Sequence, residues 1–224
     1  MSPFTIVFDL DGTLVDTAPD LVATLNIVLA REGLQPVAYA DARRMVGGGA
    51  RVIVERGIKA NGRLLPADEI DRLVGDFITH YSDHIADRSQ PFDGVEAMLD
   101  QLAESGCRLA VCTNKLEWLS LRLLDALKLR PRFHAICGAD TLGVSKPAPT
   151  ILNRTIERAG GDKTRAIMIG DSITDIATAR AAGIPVIAVD FGYSDVPVAE
   201  LKPDRVVSAF SQLPETISRV LSTG

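Results

Sequence analysis

Two aspartates near the start of the chain are the first residues whose types and spacing could do chemistry. Asp9 and Asp11 stand two positions apart at the end of an apolar run, residues 4–8, and Gly12 allows a sharp turn after them. Ligands of open α/β sheets bind just beyond the carboxyl ends of the strands. Two carboxylates in that place are costly unless a cation or a substrate uses them. The pair therefore predicts a ligand site rather than a simple acidic turn.

Two more acids follow a later apolar run, residues 166–169. Asp171 directly follows Gly170, and Asp175 lies one helical turn further on. Oxygen ligands in this arrangement suit Mg²⁺, which binds through one or two carboxylates, waters and substrate oxygens. Asp175 alone could equally be a first-turn helix acid that the helix dipole favours.

A hydroxyl and a lysine complete the set of candidates. Thr113 and Asn114 directly follow residues 108–112, and a threonine hydroxyl with the amides after it suits a phosphate oxygen, although such a threonine is usually only a helix cap. Lys146 precedes two prolines, Pro147 and Pro149, which give a rigid base to a side chain that must meet both a phosphate and a carboxylate.

The segments that must position these residues alternate between strand-like and helix-like patterns, which predicts an α/β core with a parallel sheet and right-handed crossovers. The apolar runs that we interpret as buried strands span residues 4–8, 108–112, 133–137, 166–169 and 185–189. Stretches with helical periodicity span residues 95–105, 116–129, 150–159 and 173–182.

A long segment between the first two strands has helical periodicity and few strand signals. Its candidate helices span residues 20–31, 50–59 and 68–82. A plain strand–helix–strand crossover needs far fewer residues. We therefore predict a core domain of residues 1–16 and 91–224, with residues 17–90 inserted as a helical cap domain. The alternative is one larger α/β domain with extra helices.

Composition and charge exclude several classes of protein. The 224 residues are 46% hydrophobic and 24% charged, as in globular proteins. The net charge of −5 and the single tryptophan argue against a nucleic-acid partner. Three cysteines without a C-x-x-C pair argue against zinc and disulfides. Neither a secretory signal nor a membrane span is visible, so we expect a cytoplasmic protein without a membrane partner, as a monomer or a homodimer.

The four groups of candidates, taken in chain order, resemble the motifs of the haloacid dehalogenase superfamily. Asp9 with Asp11 is similar to the first motif, Thr113 to the second, Lys146 to the third, and Asp171 with Asp175 to the fourth. The insert resembles the helical cap of subclass one. The resemblance covers essentially the whole chain and implies a Rossmann-like core.

The resemblance also implies a mechanism. Asp9 would attack phosphorus to form an aspartyl-phosphate, and Asp11 would act as general acid and base. Asp11 argues against dehalogenation, because the dehalogenase branch lacks this second acid. The same resemblance implies Mg²⁺ held by Asp9, the Asp11 carbonyl and Asp171, with Asp175 as an auxiliary ligand. Lys146 would neutralise charge, while Thr113 and the Asn114 amide would hold phosphoryl oxygens.

The leaving group must be recognised elsewhere, and the cap is the candidate. Residues 43–63 hold six basic residues against one acid, which could attract a small anion. Arg43 and Gly48 are the cap residues we expect to contact the substrate. Residues 191–193 and 202–204, with the loop at 43–49, resemble the phosphoglycolate phosphatase subgroup, so a small phosphorylated metabolite is the expected partner and 2-phosphoglycolate the expected substrate.

The same motifs are compatible with several other activities. Related enzymes act on sugar phosphates, pyrophosphate or nucleotides, and a phosphomutase of the β-phosphoglucomutase type has the same architecture. A phosphonate hydrolase would need a cap lysine, for which Lys59 is the candidate. A non-catalytic phosphate binder on this fold would be expected to lack Asp9 or Asp11.

Overall fold

The computed structural model describes residues 3–222. Within this range the chain forms eight β-strands: β1 (Thr5–Phe8), β2 (Val15–Asp16), β3 (Gln90–Pro91), β4 (Arg108–Cys112), β5 (Ala135–Cys137), β6 (Ala166–Gly170), β7 (Val186–Val189) and β8 (Arg205–Val207). The α-helices of the same range are α1 (Ala18–Arg31), α2 (Tyr39–Arg43), α3 (Ala50–Ala60), α4 (Ala67–Asp83), α5 (Val95–Glu104), α6 (Glu117–Ala126), α7 (Pro149–Arg158), α8 (Ile173–Ala182) and α9 (Leu213–Ser222).

The main sheet has six strands in the order β5-β4-β1-β6-β7-β8, and each pair of neighbours is parallel. β1 lies inside the sheet, with Val7 in register with Ala110 of β4 and with Met168 of β6. All four residues of β1 are buried, because helices cover both faces of the sheet. The predicted Rossmann-like α/β fold is confirmed.

The two faces of β1 contribute to two separate apolar cores, as the alternation of side chains along a strand requires. Ile6 and Phe8 pack into the larger core, with apolar residues of α5, α6 and α9. Val7 packs into the smaller core, with apolar residues of α7 and α8. The sheet is therefore held from both sides, and its carboxyl edge is fixed in place.

The helices α1 to α4 lie in the inserted segment, where the sequence predicts helices. β2 and β3 pair antiparallel at its base, with Val15 opposite Pro91, so the chain leaves and re-enters the core at neighbouring points. Apolar residues of the insert belong to the larger core, so insert and sheet share one continuous apolar interior. The domain bounds 1–16 with 91–224 and 17–90 stay a prediction.

The sequence pattern misplaces some bounds and misses some elements. The third predicted strand begins at Ala135 rather than at residue 133, and the helix predicted over 116–129 ends at Ala126. β8 was not predicted, because it is a short edge strand with two exposed residues and no apolar run. Within residues 3–222, no helix is long and apolar enough to cross a membrane.

Candidate active site

The carboxyl ends of three neighbouring strands bring the predicted residues together. Asp9 directly follows β1, Thr113 directly follows β4, and Asp171 directly follows β6. The sheet ladder continues into these positions, since the Asp9 N–H donates to the carbonyl of Ile169 at 2.9 Å. The backbone of the site is thus an extension of the sheet itself, which accounts for its burial.

Three carboxylates form a compact buried cluster. One oxygen each from Asp9, Asp171 and Asp175 lies within 4.8 Å of the others. Burial, together with the charges of Asp175 and Asp171, raises the pKa of Asp9 to about 8, although Lys146 opposes the shift. Burial and the charge of Asp175 raise the pKa of Asp171 to about 7. The raised pKa values of Asp9 and Asp171 show that the cluster has too little positive charge around it to stabilise these carboxylates in their ionised forms. Mg²⁺ binds carboxylate oxygens, so these residues fit a Mg²⁺ ion.

Lys146 is the cation that the cluster does contain. Its Nζ lies 2.9 Å from Asp9 Oδ1 and 2.6 Å from Asp175 Oδ1. Burial lowers the pKa of Lys146, but the charges of Asp175 and Asp9 outweigh it and raise the pKa above its ordinary value. The side chain therefore stays charged. Its backbone is fixed by Asn114, whose Oδ1 accepts the Lys146 N–H at 2.9 Å.

The Asp175 carboxylate is occupied by protein donors on both oxygens. Oδ1 accepts from Lys146, and Oδ2 accepts the backbone N–H of Asp171 and Ser172 and the Ser172 hydroxyl, at 2.7–3.2 Å. It also closes the capping box at the start of α8. This geometry suits a residue that positions Lys146, and the predicted auxiliary metal role of Asp175 stays a prediction.

Asp171 is held by two loops that come from opposite ends of the chain. Its Oδ2 accepts the Tyr193 N–H at 2.7 Å, and its Oδ1 accepts the Thr13 hydroxyl at 3.1 Å. Gly12 has φ of +80°, and a Cβ there would lie 2.6 Å from Asp171 Oδ2. The glycine after the paired aspartates is therefore required by space as well as by backbone conformation.

Asp11 faces away from this cluster and has two partners of its own. Its Oδ1 accepts the Thr17 hydroxyl at 2.7 Å, and its Oδ2 lies 2.9 Å from Lys115 Nζ. Both members of this ion pair are buried. The sequence reasoning missed Lys115 and Thr17. A lysine three residues after a buried strand, and two residues after Thr113, was a signal that could have identified Lys115.

A cavity of about 260 Å³ lies between the insert and the core, beside Asp11. Gly48, with Gly47 and Gly49, lines one side, and Asn114 and Lys115 line the other. Much of the remaining lining is apolar: Leu21, Val46, Ile53, Val74, Phe77, Ile78, Leu116 and Leu119. Gly48, which the sequence predicted as a substrate contact, therefore lies in the wall of this cavity.

Two of the predicted substrate contacts lie outside this cavity. The Arg43 guanidinium donates to the Phe191 carbonyl at 2.9 Å and stands over the Tyr193 ring, 4.7 Å from its centroid. Arg43 therefore joins the insert to the loop that holds Asp171. Thr113 is buried, and its hydroxyl accepts the Lys115 N–H at 3.2 Å.

The family model, the related sequences and the related structures all indicate the same family. The model of the haloacid dehalogenase-like hydrolase family matches residues 6–189. A phosphoglycolate phosphatase of Mesorhizobium japonicum is 52% identical over 213 residues, which are 95% of this chain and 94% of that protein. One of Caulobacter vibrioides is 48% identical over 219 residues, 98% of this chain and 92% of that protein. A crystal structure described as a predicted phosphoglycolate phosphatase from Haemophilus somnus superposes with a TM-score of 0.88 at 28% identity, over 96% of this chain and 98% of that one.

Proposed function

The chain belongs to the haloacid dehalogenase-like hydrolase family and is a phosphatase, and we propose that it hydrolyses 2-phosphoglycolate to glycolate and phosphate. The observation that carries the proposal is a pair of buried carboxylates with separate surroundings. Asp9 lies in the acidic cluster against Lys146, and Asp11 lies at the cavity against Lys115. The names of the two close relatives support the choice of substrate.

Asp9 is the nucleophile in this proposal. Its Oδ1 is held by the Leu10 N–H at 2.7 Å and by Lys146, while Oδ2 has no hydrogen-bond partner within residues 3–222. Oδ2 attacks phosphorus, the bond between phosphorus and the ester oxygen breaks, and an aspartyl-phosphate forms. Lys146 compensates the negative charge that builds up between the carboxylate and the phosphoryl group.

Asp11 moves the protons in this proposal. In the first step its carboxyl donates a proton to the leaving oxygen, and glycolate is released with its hydroxyl restored. In the second step the resulting carboxylate takes a proton from the water that attacks the aspartyl-phosphate. Phosphate leaves, Asp9 is regenerated as a carboxylate, and Asp11 is protonated again.

The remaining roles concern charge and position. Asp9, the Asp11 backbone carbonyl and Asp171, with Asp175 nearby, would hold Mg²⁺, which when bound neutralises phosphate charge that otherwise repels the attacking carboxylate. The acidic cluster of Asp9, Asp171 and Asp175 supports this ligand set. Thr113 and the Asn114 backbone amide would hold phosphoryl oxygens beyond β4, where the strand end supports such contacts.

The experiment that tests the proposal is phosphate release from a panel of small phosphomonoesters, with and without Mg²⁺. We expect release to depend on Mg²⁺ and kcat/KM to be highest for 2-phosphoglycolate. A profile that favours sugar phosphates would contradict the proposed substrate while leaving the phosphatase chemistry intact. A requirement for a bisphosphate activator would instead identify a phosphomutase.

A further inference from the structure

The buried ion pair between Lys115 and Asp11 lies in the wall of a largely apolar cavity. The side chains are 4% and 11% exposed. Taking two charges out of water costs free energy, and an ion pair offsets this cost only with good geometry and further hydrogen bonds. A lysine ammonium carries three donors, and the described residues give Lys115 Nζ one hydrogen-bond acceptor, Asp11 Oδ2. The ammonium can therefore accommodate another anionic oxygen.

Tyr81 lines the same cavity and has an unused donor. The residue is 1% exposed, and its hydroxyl has no hydrogen-bond partner within residues 3–222. Burial, with the charges of Asp11 and Asp20, raises the pKa of this phenol well above its ordinary value, so the hydroxyl remains a donor. Buried polar groups in folded proteins nearly always have a hydrogen-bond partner, and an acceptor atom of a bound ligand would supply one here.

The two groups lie side by side. Lys115 Nζ stands 4.6 Å from the centroid of the Tyr81 ring, close enough for a cation–π contact. Of the other charged residues that line the cavity, Arg51 is about half exposed and paired with Glu55 and Asp71. Lys115 is thus the buried cation of the lining, and it has an unsatisfied hydroxyl as its neighbour.

We propose that Lys115 and Tyr81 form the subsite that binds the carboxylate of the leaving group. This inference rests on the proposed function, in which Asp11 contacts the leaving oxygen. Lys115 lies 2.9 Å from that same carboxyl group, and a carboxylate on the carbon next to the leaving oxygen comes within its reach. The ammonium supplies the charge, and the phenol supplies a directed hydrogen bond.

The volume and the lining of the cavity support a short carboxylated leaving group. About 260 Å³ is below the range of roughly 300–1,000 Å³ that is usual for drug-sized ligands. The apolar residues around Lys115 keep the local dielectric constant low, which strengthens a charge-assisted contact and penalises its absence. A neutral alcohol of the same length brings no negative charge to Lys115 and offers one acceptor oxygen to the two donors, where a carboxylate offers two.

The test compares two esters of the same chain length, 2-phosphoglycolate and ethylene glycol monophosphate, which has a hydroxymethyl group in place of the carboxylate. Their ratio of kcat/KM isolates the carboxylate contact, because any effect of Lys115 on Asp11 applies to both esters. We expect Lys115→Met to lower this ratio by about 10- to 100-fold, and Tyr81→Phe to lower it several-fold. Lys163→Met, at an exposed lysine just before β6 and outside the cavity lining, is the control and should leave the ratio unchanged.

The outcomes separate the inference from the proposed function. A wild-type enzyme without preference for 2-phosphoglycolate contradicts both. A wild-type preference that Lys115→Met retains, with equal losses on the two esters, contradicts the carboxylate subsite and leaves the substrate assignment standing. If Lys115→Met does not fold, Tyr81→Phe decides, because it removes only an unpaired hydroxyl, and an unchanged ratio in that variant overturns the inference.

Discussion

Ser89 donates both its backbone N–H, at 2.8 Å, and its hydroxyl, at 2.7 Å, to one oxygen of the buried Asp20 carboxylate. The N–H of Arg88 reaches the same carboxylate at 3.0 and 3.1 Å. Asp20 lies in the first turn of α1, and Ser89 immediately precedes β3. One side chain therefore ties the start of the insert to its end.

Replacing Asp20 should loosen the base of the insert. Asp20→Ala leaves two backbone N–H groups and a hydroxyl without their acceptor, so we expect a loss of about 2–4 kcal/mol in the free energy of unfolding. Urea denaturation measures it, with Asp41→Ala, an exposed acid of the insert, as the control. Equal stability of the two variants would show that the carboxylate does not hold the two connections together.

The nucleophile assignment predicts a nearly complete loss of turnover. An amide at position 9 keeps the shape of the side chain but cannot form the aspartyl-phosphate, so Asp9→Asn should reduce kcat by at least about 10³-fold. Phosphate release and circular dichroism are measured together. Asp195→Asn, an exposed acid outside the site, should retain wild-type kinetics. Wild-type turnover by a folded Asp9→Asn enzyme would falsify the assignment.

The acid–base role of Asp11 predicts a dependence on the leaving group. An alkyl phosphate needs a proton on its leaving oxygen, whereas p-nitrophenolate leaves without one. Asp11→Asn should therefore slow the first step by about 10²–10⁴-fold with 2-phosphoglycolate and much less with p-nitrophenyl phosphate. Because the second step also needs Asp11, a burst of p-nitrophenolate is expected in stopped-flow measurements. Equal slowing of the first step with both esters would argue against proton transfer by Asp11.

Lys146 should contribute to stability as well as to catalysis. Lys146→Met removes the buried cation that contacts Asp9 and Asp175, and breaking a buried ion pair from one side costs about 3–5 kcal/mol in general. Thermal unfolding should show a lower Tm for this variant, and Mg²⁺ should restore part of the loss. Lys163→Met, at an exposed lysine, should match the wild type. An unchanged Tm for Lys146→Met would contradict this account of the cluster.

The acidic cluster predicts an unusual dependence of stability on pH. The pKa of Asp9 rises from an ordinary 3.8 to about 8 on folding, and that of Asp171 from 3.8 to about 7. Between about pH 4 and pH 8 the folded state thus binds more protons at these groups than the unfolded state, so their contribution to stability is lost as pH rises. Metal-free protein should have a lower Tm at about pH 8 than at about pH 5. Mg²⁺ should reduce the difference, and a Tm that rises over this range without metal would contradict the prediction.

The sequence was informative where burial on both sides leaves a continuous apolar run. β1, β4 and β6 are such strands, and each was predicted to within a residue or two. β8 was missed because an edge strand needs no such run. The order of the strands was not predicted, because it depends on contacts between segments far apart in the chain rather than on local pattern.

The sequence predicted which residues form the site but not which contacts they make with one another. The residues that follow the strands were identified, because strand ends bring such residues to one edge. Two contacts of the site were not predicted: the ion pair between Lys115 and Asp11, and the hydrogen bond from the Lys146 N–H to the Asn114 side chain. Both depend on rotamers and loop packing, which the spacing of residues in the sequence does not determine. For the same reason, the basic excess of the insert did not reveal that Arg43 would contact Phe191 and Tyr193.

The position of β1 within the sheet has a consequence for biosynthesis. β1 is translated before both of its hydrogen-bonded neighbours, which are β4, after the whole insert, and β6, later still. The insert's helices contact chiefly one another and can pack while the nascent strand still lacks both partners. Tyr193, which holds Asp171, emerges from the ribosome after all of these. The catalytic centre thus joins residues that are synthesised far apart in time, from Asp9 before the insert to Tyr193 after β7.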